Sequence, residues 1–324
     1  MHATLRFICA LCATSALAPA QAAESAYPQR PIRLISPIQA AGANDVIARI
    51  MAARLGEVLN VQVVVDNRGG AGGMIGADIT AKATPDGYTL LAASLATHSI
   101  LPHVYRNVPY DALRDFAPVA LFAIVPNLLT SGLSFAPNNV RELVALAKAK
   151  PGTINYASAG AGSASHFSGL LFAKMAGIEI VHVPYKGGGP VVTALLAGEA
   201  GFNFGPMPAT MSLVQSGRLK ALAVSSTTRS NALPNVPTVN ESGVPGYSSI
   251  GWFGLMAPKG TPRAIVLKLN AAAERAINAP EATRQLLQIG ADPAKRSPEE
   301  FGAFVREDNA RYGRLIREAG IKLE

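Results

Sequence analysis

Short apolar runs and segments of helical spacing alternate along the chain. The first strand is predicted at 31–36, and the first helix at 44–59, where Val46, Ile47 and Met51 fall on one side. A second strand, rich in β-branched residues, is predicted at 61–65. Further strands are expected at 88–93, 118–125, 128–131, 153–158, 179–183, 201–204, 219–225 and 251–257, and further helices at 72–83, 140–150, 163–176, 190–197, 262–279, 281–289 and 298–319.

This order of elements predicts the fold class. Strands that alternate with helices are typical of α/β proteins with largely parallel sheets. The pattern runs twice, with a break near 118–126, and the last three helices have no strands of their own. We therefore expect two lobes with a ligand cleft between them. Lobe 1 would comprise 23–122 plus 250–324 and lobe 2 would comprise 123–249, with hinges near 117–127 and 246–253.

The N-terminus has the features of a secretory signal peptide, which we place at 1–22. Arg6 precedes an apolar stretch at 7–18, and small residues follow at 20–22. Both cysteines of the chain, Cys9 and Cys12, fall inside that stretch. We therefore expect a periplasmic mature protein without cysteine, and hence without disulfides or thiolate metal sites.

Composition narrows the function classes. Of 324 residues, 49% are hydrophobic and 15% are charged, which excludes wholesale disorder. The apolar run at the N-terminus is too short for a bilayer span, so an integral membrane protein is not expected. The net charge of +8 is spread along the chain without a basic run. This distribution predicts no nucleic-acid partner and favours a basic protein that meets small anions.

Four glycine-containing turns lead from predicted strands into predicted helices, at 39–45, 69–73, 158–163 and 186–190. Backbone N–H groups at the start of a helix bind anions readily. In open α/β sheets, ligands lie at the carboxyl ends of the strands. Each turn alone is explained by tight packing, but several in register favour a shared site for an oxyanion. No Gly-Lys dipeptide is present, so a Walker A phosphate loop is excluded.

Candidate catalytic groups are few. Ser163 and His166 are three residues apart at a predicted helix start, which leaves a hydrolase as an alternative. The competing interpretation is that Ser163 is an N-cap. His182 lies in an apolar strand and is expected to be a core histidine with its hydrogen bonds satisfied. Trp252 is expected in the core, with cleft lining as the alternative.

Seven segments together resemble the substrate-binding proteins of tripartite tricarboxylate transporters, the Bug family, and they span essentially the whole mature chain in the order of that family. They are YPQRPI at 27–32, NRGGAGGMIG at 67–76, PDGYTL at 85–90, GAGSASH at 160–166, HVPYKGGGP at 182–190, LPNVPT at 233–238 and WFGLMAP at 252–258. The resemblance implies a type II periplasmic-binding-protein fold with two Rossmann-like lobes. It also implies capture of a small organic anion without catalysis, cofactor or metal. The implied partners are the membrane permease subunits of such a transporter, and a monomer is expected.

The resemblance also implies the site residues. The first binding loop maps to Ile38, Ala41, Gly42, Asn44 and Asp45, the next strand end to Ser94 and Thr97, the carboxylate clamp to Ser158, Gly160 and Ser163 with His166 behind it, and a further loop to Tyr185, Gly187 and Gly188. Asp45 is not expected to touch a carboxylate, because like charges repel in a closed cleft. It is expected to cap its own helix and fix the loop, or to accept a hydrogen bond from a ligand hydroxyl, amine or water.

Ligand identity stays open at this stage. The first loop of the family usually carries an aromatic residue, two glycines and a Ser or Thr, where this chain has Ile38, Ala41-Gly42 and Asn44. A dicarboxylate, a tricarboxylate and an aromatic acid are all compatible with the sequence. A receptor that feeds a two-component sensor, rather than a transporter, is a second alternative beside the hydrolase.

Overall fold

The computed structural model describes residues 27–38, 43–160, 163–185, 187–318 and 320. The predicted signal peptide at 1–22 and the predicted site residues Ala41 and Gly42 lie outside these residues. The described strands are β1 Ile32–Ser36, β2 Val63–Asn67, β3 Thr89–Ser94, β4 Phe116–Ser131, β5 Asn155–Ser158, β6 Val181–Pro184, β7 Phe202–Pro206, β8 Lys220–Val224, β9 Ile250–Pro258 and β10 Asp292–Pro293. The described helices are α1 Ala43–Leu59, α2 Met74–Ala81, α3 Leu101–Val104, α4 Val140–Ala149, α5 Ala164–Ala176, α6 Gly188–Ala197, α7 Met207–Gln215, α8 Arg263–Asn278, α9 Pro280–Gln288 and α10 Pro298–Glu318.

The strands lie in the order β2-β1-β3-β9-β4-β7-β5-β6, with β8 and β10 also paired to β4. At one end, β1 is parallel to both β2 and β3. At the other end, β5 is parallel to both β6 and β7. The two central strands, β9 and β4, run antiparallel to their neighbours. Strands β8 and β10 also pair antiparallel with β4. The predicted α/β class is confirmed, and the antiparallel pairings surround β4 and β9 in the middle of the sheet.

Strand β4 serves both lobes. Its first part pairs with β9 up to Pro126, opposite Ile250. From Asn127, opposite Pro206, it pairs with β7 instead. The sequence predicted two separate pieces at 118–125 and 128–131, and this was wrong, because Pro126 and Asn127 continue the strand. The expected hinge segments therefore lie in β4 and at the start of β9. The proposed lobe boundaries stay a prediction.

The core has several clusters of different composition. Where helices α1 and α8 cover β1 and β3 the core is mainly aliphatic, with Leu34, Met51 and Leu269 fully buried. A second cluster that includes residues of β1 and β3 contains Trp252 and Phe301. Beside β5 and β7 the core is aromatic, with Phe172 and Phe202 at its centre. Since α8 packs against α1 and β4, the late helices return to the first part of the sheet.

Candidate functional site

A cavity of about 440 Å³ lies beside the point at which β4 leaves β9 and joins β7. Four predicted site residues line it: Ile38, Asn44, Ser94 and Ser163. The remaining described lining residues are Gly72, Leu95, Ala96, Ile100, Leu101, Val104, Tyr105, Val125, Asn127, Ala164, Pro206, Gly251, Trp252 and Phe253. Groups from both ends of the sheet therefore face one space, as expected for a cleft between lobes.

Asn44, at the start of α1, is held by its own hydrogen bonds. Its Nδ2 donates to the carbonyl of Ala92 at 2.9 Å, and its Oδ1 accepts from the hydroxyl of Ser36 at 3.3 Å. These bonds join the beginning of α1 to β1 and β3. Asn44 thus lines the cavity while its Nδ2 and Oδ1 each make a hydrogen bond within the protein.

Asp45 is buried behind that wall and does not line the cavity. Its carboxylate accepts from Asn67 Nδ2 at 2.7 Å and from Arg49 Nε at 3.0 Å. Asn67 Nδ2 also donates to the carbonyl of Ile38 at 3.2 Å. Through Asn67, the carboxylate of Asp45 is connected to the Ile38 carbonyl, which agrees with the expectation that Asp45 fixes the loop.

The turn after β3 contributes an apolar wall. Thr97 is buried and holds the turn, since its Oγ1 accepts from the Ser94 backbone N–H at 3.2 Å and donates to the Ser94 carbonyl at 3.1 Å. The turn continues into α3, which places Leu101 and Val104 in the wall. The sequence analysis assigned no helix to this segment. Apolar residues directly after the carboxyl end of a strand were the signal available for this wall.

His98 lies beneath the same wall. Its Nδ1 is 2.9 Å from Thr97 Oγ1, and its ring packs edge-on against Phe116. Burial lowers the pKa of His98 to about 3, so the ring is neutral at ordinary pH. It therefore adds no cation to the site.

The turn before α5 is held by hydroxyl groups. Ser163 Oγ accepts from the His166 backbone N–H at 3.3 Å, which makes it the N-cap of α5. The same hydroxyl donates to the Gly160 carbonyl at 2.6 Å. Gly160 has φ +128°, a conformation that L side chains rarely adopt. Ser163 therefore lines the cavity while its hydroxyl hydrogen is used inside the turn.

Two histidines lie behind this turn. The rings of His166 and His182 stack with centroids 3.8 Å apart, and His182 Nε2 lies 2.6 Å from Ser158 Oγ. Burial and the neighbouring His182 lower the pKa of His166 to about 4, and burial lowers the pKa of His182. His182 is only partly buried, so the expectation of a core histidine was wrong, although its hydrogen bond to Ser158 is present.

These contacts do not form a catalytic pair from Ser163 and His166. Ser163 contacts the backbone of His166, while the ring of His166 stacks on His182. A general base must reach the proton that it removes. The arrangement is that of a helix cap.

The remaining predicted residues support the α5 turn from behind. The backbone N–H of Tyr185 donates to the Ser158 carbonyl at 2.9 Å, and that of Gly187 donates to the Ala159 carbonyl at 3.2 Å. Gly188 lines a much smaller adjoining pocket of about 20 Å³. Thr97, Ser158, Gly160, His166, Tyr185 and Gly187 do not line the main cavity, and their part in binding stays a prediction.

Six lining residues come from strands β4, β7 and β9 and were absent from the predicted site: Val125, Asn127, Pro206, Gly251, Trp252 and Phe253. Asn127 Nδ2 donates to Ser168 Oγ and to the Ser249 carbonyl, each at 3.1 Å. Trp252 is fully buried and also lines the cavity, so both alternatives for it apply. A lone Asn inside the apolar run of β4 was the one sequence signal for this group.

The described lining contains no Lys, Arg, His, Asp or Glu. Across the described parts of the chain, no group of three or more His, Cys, Asp or Glu side chains is placed to hold a metal ion. No described helix is both long enough and apolar enough to cross a membrane.

Comparisons with known proteins agree with this arrangement. The family described as "Tripartite tricarboxylate transporter family receptor" matches residues 47–321. Protein BugT of Bordetella pertussis is 37% identical over 313 residues, covering 96% of each chain.

Solved structures show the same fold. The structure of R. palustris Rpa4515 with adipate matches with a TM-score of 0.78 and 37% identity, covering 91% of this chain and 99% of that one. MatC from Rhodopseudomonas palustris with bound malate matches with a TM-score of 0.73 and 32% identity, covering 90% and 100%.

Members of this family are periplasmic solute-binding proteins and not enzymes, so the hydrolase alternative is wrong. The two-lobed α/β architecture, the cavity at the strand junction and these matches lead to one conclusion. The chain belongs to the Bug family of tripartite tricarboxylate transporter receptors.

Proposed function

We propose that this protein captures a small organic carboxylate in the periplasm and delivers it to the permease subunits of a tripartite tricarboxylate transporter. The observation that carries the proposal is the cavity beside the point at which β4 leaves β9 and joins β7. Asn44, at the start of α1, and Ser163, at the start of α5, both line it. Solved relatives hold adipate and malate, which are both carboxylates. The family to which the chain belongs supports delivery to a permease.

The carboxylate of the ligand would lie at the N-terminus of α5. That helix has thirteen residues and no acidic residue in its first turn. The partial positive charge at a helix start favours an anion. Because the described lining carries no cationic side chain, backbone N–H groups would be the main partners of the carboxylate.

Isothermal titration with matched ligands tests the proposal. Each carboxylate that binds is compared with its amide, which has the same length and no charge, as hexanoate with hexanamide or adipate with adipamide. We expect the carboxylate to bind at least tenfold more tightly than its amide, because hydrogen bonds to a charged group are worth about 1.5–3 kcal/mol each. Equal affinity for the amide, or no binding by any mono-, di- or tricarboxylate, would contradict a carboxylate receptor.

Two crossing strands between the lobes also favour closure on the ligand. We expect the radius of gyration to fall in solution scattering when a saturating carboxylate is added. An unchanged scattering profile at saturation would argue for a rigid cleft.

Edman sequencing of periplasmic material tests secretion, and we expect a mature N-terminus near Gln21 or Ala23.

A further inference from the structure

Most of the cavity wall is apolar, whereas the proposed position of the carboxylate is at the N-terminus of α5. We propose that the ligand is a monocarboxylate with an apolar body, aromatic or alkyl, rather than a polycarboxylate. This inference rests on the proposed function and names the class of ligand within it.

The apolar surface comes from the turn after β3, helix α3 and strands β4 and β9, which meet around the cavity. The turn after β3 and α3 contribute Leu95, Leu101 and Val104, β4 contributes Val125, and β9 contributes Trp252. These side chains are all buried, so packing holds them in place. An apolar ligand body placed here gains the free energy of removing its own surface from water.

The same surface offers little to a second carboxylate. No charged side chain is present in the described lining, and one of the two amide hydrogens of Asn44 is already used by the Ala92 carbonyl. The indole N–H of Trp252 donates to Asp308 Oδ2 at 3.0 Å and points away from a ligand for that reason. The hydroxyl groups of Ser94 and Tyr105 also line the cavity, but a second carboxylate met only by neutral groups would recover less of its lost hydration than one met by a cation.

Asn127 also favours an apolar ligand body over a second carboxylate. Its Nδ2 must face the Ser249 carbonyl, because that oxygen only accepts, and the orientation of the amide is thereby assigned. The Oδ1 receives no hydrogen bond from the described residues, although Asn127 lines the cavity. An acceptor at this place repels a carboxylate and suits a ligand hydroxyl. A hydroxyl on the apolar body would therefore add affinity.

A chain-length series measured by titration calorimetry tests the proposal on the unmodified protein. Acetate, butyrate and hexanoate share one carboxylate and differ only in methylene groups. We expect each added methylene to raise affinity roughly fourfold. We also expect 4-hydroxybenzoate to bind more tightly than benzoate, and hexanoate more tightly than succinate or citrate.

The outcomes distinguish an error in the proposed ligand class from an error in the proposed function. If succinate, malate or citrate binds while affinity stays flat from acetate to hexanoate, the apolar class is wrong and the carboxylate receptor stands. If citrate binds more tightly than hexanoate, the apolar class is also wrong. If no carboxylate binds, the proposed function itself fails.

A matched pair of variants locates the effect. Val104 and Val305 are each 2% exposed, but only Val104 lines the cavity. Val104→Thr puts a hydroxyl into the apolar wall, and we expect hexanoate affinity to fall roughly fivefold while acetate affinity is unchanged. Val305→Thr makes the same substitution in the core and should change neither. Equal losses in the two variants, with both folded by circular dichroism, would overturn the assignment of this wall.

Discussion

The α1 turn (described residues 36–38 and 43–45) and the α5 turn (described residues 158–160 and 163–166) each lie between a strand and a helix beside the cavity, yet different chemistry holds them. In the α1 turn, the carboxylate of Asp45 joins Arg49 and Asn67. In the described part of the α5 turn, hydroxyl groups and a neutral imidazole make the contacts.

This difference assigns unequal roles to the two helix starts. An acidic side chain in the first turn of α1 already stabilises the positive end of that helix. The first turn of α5 contains no acidic residue, so its positive end remains available to a ligand. We therefore expect the α5 turn to receive the carboxylate, and the α1 turn to supply shape.

The largest expected effect comes from placing a charge in the α5 turn. Ser163→Asp keeps an N-cap acceptor but adds a negative charge to the cavity wall. Two like charges about 5 Å apart repel by roughly 3 kcal/mol at an effective dielectric constant near 20, so we expect at least hundredfold weaker carboxylate binding by calorimetry.

Ser163→Asn is the matched control, because it also caps a helix and has no charge. We expect it, like Ser163→Ala, to weaken binding by about tenfold or less, since the hydroxyl hydrogen of Ser163 is used by Gly160. Wild-type affinity in Ser163→Asp would move the anion site away from α5.

An intermediate effect is expected from the α1 turn, and on stability rather than on charge recognition. Asp45→Asn removes a carboxylate whose side chain is 3% exposed and accepts hydrogen bonds from Arg49 and Asn67. We expect the free energy of unfolding, measured with urea, to fall by about 1–3 kcal/mol. Asp86→Asn breaks an exposed pair with Arg30 and should cost less than about 1 kcal/mol. Equal losses would show that the α1 turn does not depend on its buried charge.

The smallest effect is a pH dependence carried by the histidines behind the α5 turn. The pKa of His166 is lowered to about 4 by burial and by His182, against an ordinary value of 6.5. Between these values the unfolded chain binds a proton that the folded chain does not, so the free energy of unfolding falls as the pH falls. One such proton corresponds to about 1.4 kcal/mol per pH unit.

We therefore expect His166→Gln to reduce the slope of unfolding free energy against pH between pH 6.5 and 5. Val305→Thr changes no titratable group and should keep the wild-type slope, which makes it the control. An imidazole signal of His166 that titrates near pH 6.5 in NMR spectra would contradict the expectation.

Much of the architecture could be predicted because local pattern encodes it. The β-branched and apolar runs placed most strands to within a few residues, and Ser163 was recognised as an N-cap. The helix at Met207–Gln215 was missed although Pro206 caps it and Pro208 lies in its first turn, because nine residues are too few to show a clear helical period. The short helical segment from Ala96 to Val104 was missed because histidines and a proline interrupt its apolar spacing.

The sequence by itself determined the alternation of strands and helices, the glycine turns at strand ends and the family resemblance, since each depends on residues close together in the chain. Only the tertiary structure decided which side chains share the cavity. Asn127, Pro206 and Trp252 meet because β4 pairs first with β9 and then with β7, and strand order is not encoded in local periodicity. It also decided that the ring of His166 stacks on His182 instead of reaching Ser163, because that contact depends on how β6 packs beside α5.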